Sequence, residues 1–159
     1  MKKIWITTGA LLLFIHLINA QDYTHALGVR GGLFNGFTYK QFLSRTDAIE
    51  LLATSRWRGM NFTALYEKHE DIKNIDSDLG NLRWYVGAGG HIGFYHGKYA
   101  WWGYYQPYTL IGIDGIFGLE FTMKEIPLNF SLDWKPSMHF IGLLGLWVDG
   151  GAFSVRYVF

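Results

Sequence analysis

The chain has 159 residues, which is enough for one domain, and its 14 basic and 13 acidic side chains leave a formal net charge of +1. This near-neutral balance gives no indication of a polyanionic partner, so nucleic acid is not expected as one. The absence of cysteine excludes disulfides, thiol catalysis and cysteine-ligated zinc, and the charged fraction of 17% lies below the about 25% of typical soluble proteins.

Residues 1–20 have the pattern of a secretory signal peptide. Two lysines precede an apolar run over 4–18, and Ala20 offers a cleavage point. The apolar run is shorter than the roughly 20 residues of a membrane-spanning helix, although a retained membrane anchor is the alternative interpretation. We therefore expect the signal peptide to be removed and residues 21–159 to form the mature domain.

Beyond the signal peptide, apolar and polar residues alternate with a period of two, which is the pattern of β-strands and not of helices. Glycine, asparagine, aspartate and proline interrupt the alternation, and Asn35-Gly36 is a strong hairpin-turn signal. The pattern predicts eight strands, which span 25–33, 37–43, 48–57, 60–69, 82–95, 109–121, 128–135 and 152–159. It also predicts loops, which span 70–81, 96–107 and 136–150.

The segment 109–121 shows the alternation most clearly. One of its faces is apolar throughout and includes Ile113 and Phe117, whereas Asp114 and Glu120 lie on the other face. A helix over the same segment would scatter both acids among the apolar residues. The segment is longer than an ordinary strand of about 5–6 residues, and it exceeds the roughly 9–11 residues that cross a bilayer at a tilt.

Eight antiparallel strands joined by hairpins can close into a barrel, which removes the exposed strand edges. The sequence therefore predicts an all-β fold, an eight-stranded antiparallel up-and-down transmembrane β-barrel. The transmembrane part of this prediction depends on which face lies inside, because a soluble lipocalin-like barrel shares the alternation but inverts it.

Three features favour the membrane barrel over the soluble one. The polar face is rich in glycine, whereas a soluble barrel would cover its outside with lysine and glutamate. Aromatic residues lie near the ends of several apolar faces, as in the girdles of outer-membrane barrels, and these are Trp57, Trp84, Phe94, Phe121, Trp134 and Phe159. The charges on the polar face nearly balance, as buried charges must. They predict a lumen charge network of Arg30, Lys40, Glu50, Arg56, Glu67, Arg83, His91, Asp114, Glu120, Asp133, Lys135 and Arg156.

Together, the signal peptide, the alternating strands and the final segment SVRYVF at 154–159 resemble a small eight-stranded outer-membrane β-barrel protein. The segments GIDG, KEIPL and SLDWK, at 112–115, 124–128 and 131–135, are similar to small barrels of Bacteroidota outer membranes. The resemblance implies a location in the cell outer membrane, surrounded by outer-membrane lipid. It also implies that the barrel-assembly machinery reads the C-terminal strand, with Tyr157 and Phe159 as the residues engaged.

The same resemblance implies that both chain termini lie on the periplasmic side. The polar loop 70–81 then lies on that side as well, although periplasmic turns are usually short. Either this turn is an exception or the predicted strand count is off by one at that point.

Two pairs of residues are candidates for catalysis. Asp114 and Glu120 could form an acid–base pair, but six residues along a strand separate them by about 20 Å, and pairing with arginine or lysine in the lumen is their simpler role. Ser137 and His139 resemble the Ser/His sites of lipid-A-modifying outer-membrane enzymes. Their order is reversed relative to the deacylase type and no acid is expected beside them, so a polar loop is the simpler interpretation.

The predicted aromatic loop 96–107 contains Trp101, Trp102, Tyr104 and Tyr105, which could contact a ligand or an envelope protein partner. An aromatic girdle extended into the loop is the alternative. The histidines show no metal-ligand spacing, so neither a metal nor a cofactor is expected.

These patterns predict an integral outer-membrane β-barrel protein with a side-chain-filled lumen, a structural or accessory role and no catalytic activity. A lipid A or phospholipid-modifying outer-membrane enzyme is one alternative, and a small pore is another. The pore is the weaker alternative, because eight strands leave an interior that side chains fill.

Overall fold

The computed structural model describes residues 23–56, 59–72, 79–95, 107–142, 144–148 and 150–159. The strand segments in these ranges are β1 (His25–Gly32), β2 (Asn35–Phe42), β3 (Asp47–Arg56), β4 (Gly59–Asp71), β5 (Gly80–Tyr95), β6 (Tyr108–Met123), β7 (Leu128–Trp134), β8 (Ser137–Ile141), β9 (Gly145–Trp147) and β10 (Gly151–Val158). No helix within the described ranges is long and apolar enough to cross a membrane.

These segments form one antiparallel sheet that closes on itself. The order β5-β4-β3-β2-β1-β10-β7-β6 returns to its start because β6 also pairs with β5. β7 and β8 both pair with β6, one after the other along its length. In the same way, β10 pairs with β7 and β9 pairs with β8, so β7–β8 and β9–β10 each act as one strand of the barrel. The segments therefore make a closed eight-stranded antiparallel barrel, which confirms the predicted all-β fold.

The predicted loop 136–150 is wrong, because most of it continues the two last strands of the barrel. Pro136 lacks an N–H and interrupts the ladder, but its carbonyl still accepts a hydrogen bond from Gly115 N (2.9 Å), and β8 resumes the pairing with β6 directly afterwards. The chain reverses near Gly142, whose φ of 94° lies in the left-handed region that glycine adopts readily.

The two ends of the barrel differ in the turns and chain termini that they carry. The terminal end is the one at which β1 begins and β10 ends, and the distal end is the opposite one. The turns 43–46 and 124–127 lie at the terminal end, where they join β2 to β3 and β6 to β7. The β1–β2 hairpin and Gly142 lie at the distal end.

The predicted loop 70–81 also lies at the terminal end. β4 continues to Asp71, and β5 begins at Gly80 and pairs with β4 in continuous register. The backbone N–H of Lys124 donates to the Leu79 carbonyl (3.1 Å), which ties this connection to the β6–β7 turn. The alternative of a strand count that is off by one is therefore wrong, and this connection is longer than its neighbours at the same end.

Burial alternates along the strands, with the apolar face outside and the polar face inside. On β4, Phe62 and Tyr66 are 44% and 50% exposed, whereas Thr63 and Glu67 are buried. Within the described strands, the acidic and basic residues of the outer face are Asp47, Lys68 and Glu70, all at the terminal end. The outer wall is thus an apolar band with a charged rim on one side.

The interior is filled by side chains from all around the barrel. Leu52, Leu65, Ile116 and Tyr85 pack together as a buried cluster inside the lumen. Polar side chains occupy the lumen on both sides of this cluster, and these define the candidate site.

Candidate functional site: the barrel lumen

Most residues of the predicted lumen charge network are buried on the inner face of the barrel. They are Arg30, Lys40, Glu50, Glu67, His91, Asp114, Glu120, Asp133, Lys135 and Arg156. Period-two alternation places them there, because every second side chain of a barrel strand points inward. They fall into three groups along the barrel axis.

The group nearest the terminal end is built around Lys40, which is completely buried. Its Nζ lies 2.8 Å from Oε2 of Glu67, 3.5 Å from Oε2 of Glu120 and 3.8 Å from Oε2 of Glu50. The ammonium also lies 4.2 Å from the centre of the Tyr85 ring. One cation therefore faces three carboxylates and the π-face of an aromatic ring.

Arg156 joins the same group from β10, which is separated from the strand of Lys40 by β1. Its guanidinium forms an ion pair with Glu50 and donates to Thr38 Oγ1 (3.0 Å), Asn129 Oδ1 (3.1 Å) and Ser131 Oγ (2.8 Å). These partners come from β2, β3 and β7, so the side chain of one residue connects β10 to three other strands. Charge-assisted hydrogen bonds of this kind are stronger than neutral ones.

His69 completes the terminal group, although it is not a member of the predicted network. Its Nε2 lies 3.1 Å from Glu67 Oε2, and its Nδ1 lies 3.1 Å from Glu120 Oε1. The ring also stacks on Tyr85, with centroids 5.0 Å apart. The imidazole thus bridges two buried carboxylates, and its protonated form would supply positive charge between them.

The middle group is the ion pair between Arg30 and Asp133. Arg30 Nη1 donates to Oδ2 of Asp133 (2.7 Å), and Nη2 contacts the other carboxylate oxygen, which makes the pair bidentate. The Tyr85 hydroxyl donates to the same carboxylate (3.1 Å). Ser154 Oγ accepts a longer hydrogen bond from Arg30 (3.4 Å).

The third group lies toward the distal end and is centred on Asp114. One carboxylate oxygen accepts a hydrogen bond from Lys135 Nζ (2.5 Å), and the other lies 2.7 Å from His91 Nδ1. His91 Nε2 lies 2.8 Å from Nδ1 of His139, so the two imidazoles continue the chain of polar contacts. Nε2 of His139 is buried and has no hydrogen-bond partner among the described residues.

Arg56 and Arg83 lie at the two mouths of the barrel and not among these groups. Arg83 Nε donates to Asp71 Oδ1 (2.7 Å) at the terminal end. Arg56 lies at the distal end, where its guanidinium is 5.0 Å from the Phe34 ring centre and 5.9 Å from that of Trp147. Alternation identifies the face of each arginine correctly, but it carries no information on depth.

The residues that sequence reasoning missed all lie on the polar face. They are Thr38, His69, Tyr85, Asn129, Ser131 and Ser154. Their position on the same face as the charged residues was a usable signal, because inner positions of a narrow barrel touch one another across the lumen. Neutral polar groups are needed there, since one carboxylate does not reach all five donors of an arginine, and those of Arg156 that Glu50 does not accept go to Thr38, Asn129 and Ser131.

Ser137 and His139 are both buried on the inner face. The expectation that no acid stands beside them is wrong, because Ser137 is the register partner of Asp114, which reaches His139 through His91. Asp114 and Glu120 belong to different groups, with separate cationic partners. Within the described ranges, no group of three or more His, Cys, Asp or Glu could hold a metal ion.

The two C-terminal residues of the predicted assembly signal lie at the seam that closes the barrel. Phe159 N donates to His25 O (2.9 Å), and its ring stacks on His25 with centroids 5.6 Å apart. Tyr157 pairs with Leu27 and stacks on Phe159. Several predictions fall outside the described residues, namely the signal peptide 1–20, the girdle residue Trp57 and the contact residues Trp101, Trp102, Tyr104 and Tyr105.

Comparisons of this chain with protein-family models, with curated proteins and with solved structures find no match. The features from which a function can be inferred are therefore the closed barrel, its apolar outside and its ionic inside.

Proposed function

We propose that this chain is an integral outer-membrane β-barrel protein with a structural or accessory role and no catalytic activity. The observation that carries the proposal is the arrangement of the two faces, with large apolar side chains outside and paired charges inside. Monomeric soluble proteins rarely expose an apolar surface that extends around the whole molecule. A bilayer is the solvent in which such a surface is stable.

The height of the apolar wall supports this environment. On β6 the outward side chains run from Thr109 to Phe121, which corresponds to about 40 Å along the strand at about 3.3 Å per residue. At the strand tilt of about 40° that is usual in such barrels, this is about 30 Å along the barrel axis. The apolar band of outer-membrane barrels is about 25 Å tall.

The lumen supports a structural role over a pore. Arg156, Lys40, Glu50 and Tyr85 are completely buried, and the cluster around Leu52 fills the space between the charged groups. Eight-stranded barrels of this kind have interiors that side chains occupy. Conductance across a planar bilayer would instead support the small pore.

The absence of cysteine allows a clean test of the proposal by single-cysteine spin labelling. Leu132→Cys places a nitroxide on the outer band, and Glu70→Cys places one on the charged rim. In barrels reconstituted into phospholipid, we expect the Leu132 label to collide with oxygen and not with a water-soluble nickel chelate, and the Glu70 label to show the reverse. Access of the chelate to both labels would overturn the membrane location.

A lipid A or phospholipid-modifying enzyme is the second candidate, favoured by the contacts that link Asp114 to His139 through His91. Ser137 and His139 face the lumen, whereas a lipid chain would lie against the outer wall, which favours the non-catalytic role. A mass change in lipid that Ser137→Ala or His139→Ala abolishes would support the enzyme. Co-purification of an envelope protein that is lost when Trp101 and Trp102 become alanine would support the accessory role.

A further inference from the structure

Two of the three charged groups in the lumen are balanced. The middle group pairs Arg30 with Asp133, and the group toward the distal end pairs Lys135 with Asp114. The two histidines of the distal group therefore need no charge of their own. Among the buried side chains of the described ranges, any excess of charge lies in the terminal group.

The terminal group has one acid more than its lysine and arginine can balance. Its buried cations and acids are Lys40 and Arg156, and Glu50, Glu67 and Glu120. Arg83 lies nearer to the solvent, where it forms an ion pair with Asp71 (2.7 Å). Because an uncompensated buried charge is unfavourable, the terminal group is expected to hold one further proton.

His69 is the side chain that is placed to carry this proton. Its Nε2 and Nδ1 each lie 3.1 Å from a carboxylate oxygen, the first from Glu67 and the second from Glu120. An ionised carboxylate only accepts hydrogen bonds, so both nitrogens are favourable there as N–H groups. Nδ1 is buried and no described residue donates a hydrogen bond to it, so a bare lone pair at this atom would be unsatisfied. Hydrogen on both nitrogens makes the ring an imidazolium cation.

The other groups around the His69 ring are compatible with a cation. The ring stacks on Tyr85 with centroids 5.0 Å apart, and aromatic faces attract cations. Lys40 is a like charge that contacts the same Glu67 oxygen, but its ammonium is shared among three carboxylates. The Tyr23 hydroxyl donates to Glu120 Oε1 (3.4 Å), which is a contact that an ionised carboxylate accepts.

We propose that His69 is an imidazolium in the folded barrel and acts as a pH-sensitive link between β4 and β6. These two strands are separated by β5 in the wall, so the link connects them through the lumen. Loss of the proton leaves the terminal group with one uncompensated buried carboxylate, which makes the barrel less stable. The proposal does not depend on the barrel lying in a membrane.

The direction of the pH dependence follows from the proton count. A histidine in an unfolded chain loses its proton near pH 6.5, whereas the folded barrel still holds it above that pH. The stabilisation is therefore complete below about pH 6.5 and is lost as the pH rises. One proton of difference between the two states changes the unfolding equilibrium constant tenfold per pH unit. We expect urea unfolding in uncharged detergent micelles to show a rise of up to about tenfold per pH unit between about pH 7 and 9.

Three variants test where the proton is held. His69→Gln removes the titrating ring and Glu67→Gln removes the excess acid, so each should make the unfolding constant independent of pH to within about twofold over this interval. Glu67→Gln carries the test if His69→Gln does not fold. The matched control is His139→Gln, which changes another buried histidine near the other end of the lumen and should keep the full pH dependence.

Nitrogen NMR of the barrel labelled with ¹⁵N-histidine gives a direct readout. At about pH 8 we expect one histidine with hydrogen on both ring nitrogens, and its signals should be absent from His69→Gln. Pronounced pH dependence without these signals would place the proton on a carboxyl group beside a neutral His69 and would overturn the proposal. A pH-independent unfolding constant in the unmodified protein, or an equal loss of pH dependence in His139→Gln, would overturn it as well.

Discussion

Arg156 is fully buried, and the polar groups that it contacts belong to three other strands, β2, β3 and β7. Asn129 and Ser131 lie on the neighbouring strand β7, whereas Thr38 and Glu50 lie on β2 and β3, two and three strands away around the wall. Removing one partner of a buried ion pair leaves the other charged and desolvated, which costs more than the pair itself contributes.

We expect Arg156→Leu to lower the free energy of unfolding by about 3–5 kcal/mol, the usual cost of an unpaired buried charge. Urea unfolding of the barrel in detergent micelles, followed by tryptophan fluorescence, measures this change. Lys68→Leu on the outer rim is the matched control, because exposed ion pairs contribute about 0–1 kcal/mol.

The double variant Arg156→Leu/Glu50→Leu removes both partners, and we expect it to be more stable than Arg156→Leu alone. Equal stability of the single and the double variant would show that the unpaired carboxylate is not the cause of the loss.

For single residues, the sequence predicts the face but neither the depth nor the partner. Arg83 has two acidic register partners, Asp71 on β4 and Glu120 on β6, yet its Nε donates to Asp71 at the terminal end, while Glu120 faces Lys40. His69 follows Glu67 on the inner face, but its contacts depend on how far the strands are staggered around the barrel. The stagger is a property of the closed wall, and period-two alternation does not contain it.

Among the strands, β1 and β10 form the seam between the two ends of the chain, and glycine is needed where they approach most closely. Gly28 lies opposite Arg156, and a Cβ built on it would collide with the backbone of Val155 and lie 2.6 Å from the Arg156 Cα. Gly151 at the other end of β10 would accept a Cβ with no atom within 4 Å. The two glycines therefore predict different responses to the same added methyl group.

We expect Gly28→Ala to destabilise the barrel by about 1–3 kcal/mol, the usual cost of overpacking, because the contacts are with backbone that cannot move aside. Gly151→Ala is expected to change stability by no more than about 0.5 kcal/mol, as at ordinary surface positions. Urea midpoints of the two variants, at unchanged m-value, give the comparison. Equal losses in both would contradict the close approach at the seam.

Phe159 closes the seam through backbone hydrogen bonds, which its side chain does not control. If the assembly machinery reads this aromatic residue, Phe159→Ala should reduce the amount of barrel in cells several-fold while in vitro refolding stays unchanged. Phe153→Ala, on the outer face of β10, is the control and should affect both the amount in cells and the refolding equally. The measurements are heat-modifiability on gels of cell envelopes and of refolded protein.

The strands themselves were largely predictable from the sequence, and the exception has a physical cause. Pro136 ends the alternation in the sequence, which led to the wrong loop prediction for 136–150. In the barrel, β6 is long enough to pair with both β7 and β8, so its ladder spans the interruption. Long-range pairing of this kind overrides a local strand-breaking residue, and a single sequence does not reveal it.

For the whole molecule, the decisive question is which solvent the outer wall meets. The glycine-rich polar face and its balanced charges predicted the inside, and burial of these residues agrees with that arrangement. A register shift of one residue would turn the buried charges outward, so burial of one face specifies the pairing strictly. If the outer wall met water, these charged side chains could also face outward. If it meets lipid, an outward position is unfavourable for them, so the lumen is the only stable location.

The outer wall provides the last prediction. Leu132 is 63% exposed in the apolar band and lies between its register partners Leu119 and Phe153. If the band meets lipid, Leu132→Arg should destabilise the barrel in phospholipid vesicles by roughly 2–4 kcal/mol, the cost of arginine near the bilayer midplane. If the band meets water, the same change should alter stability by no more than about 0.5 kcal/mol. Unfolding by guanidinium in vesicles, with Glu70→Arg on the charged rim as control, separates the two outcomes, because only lipid makes the two positions differ.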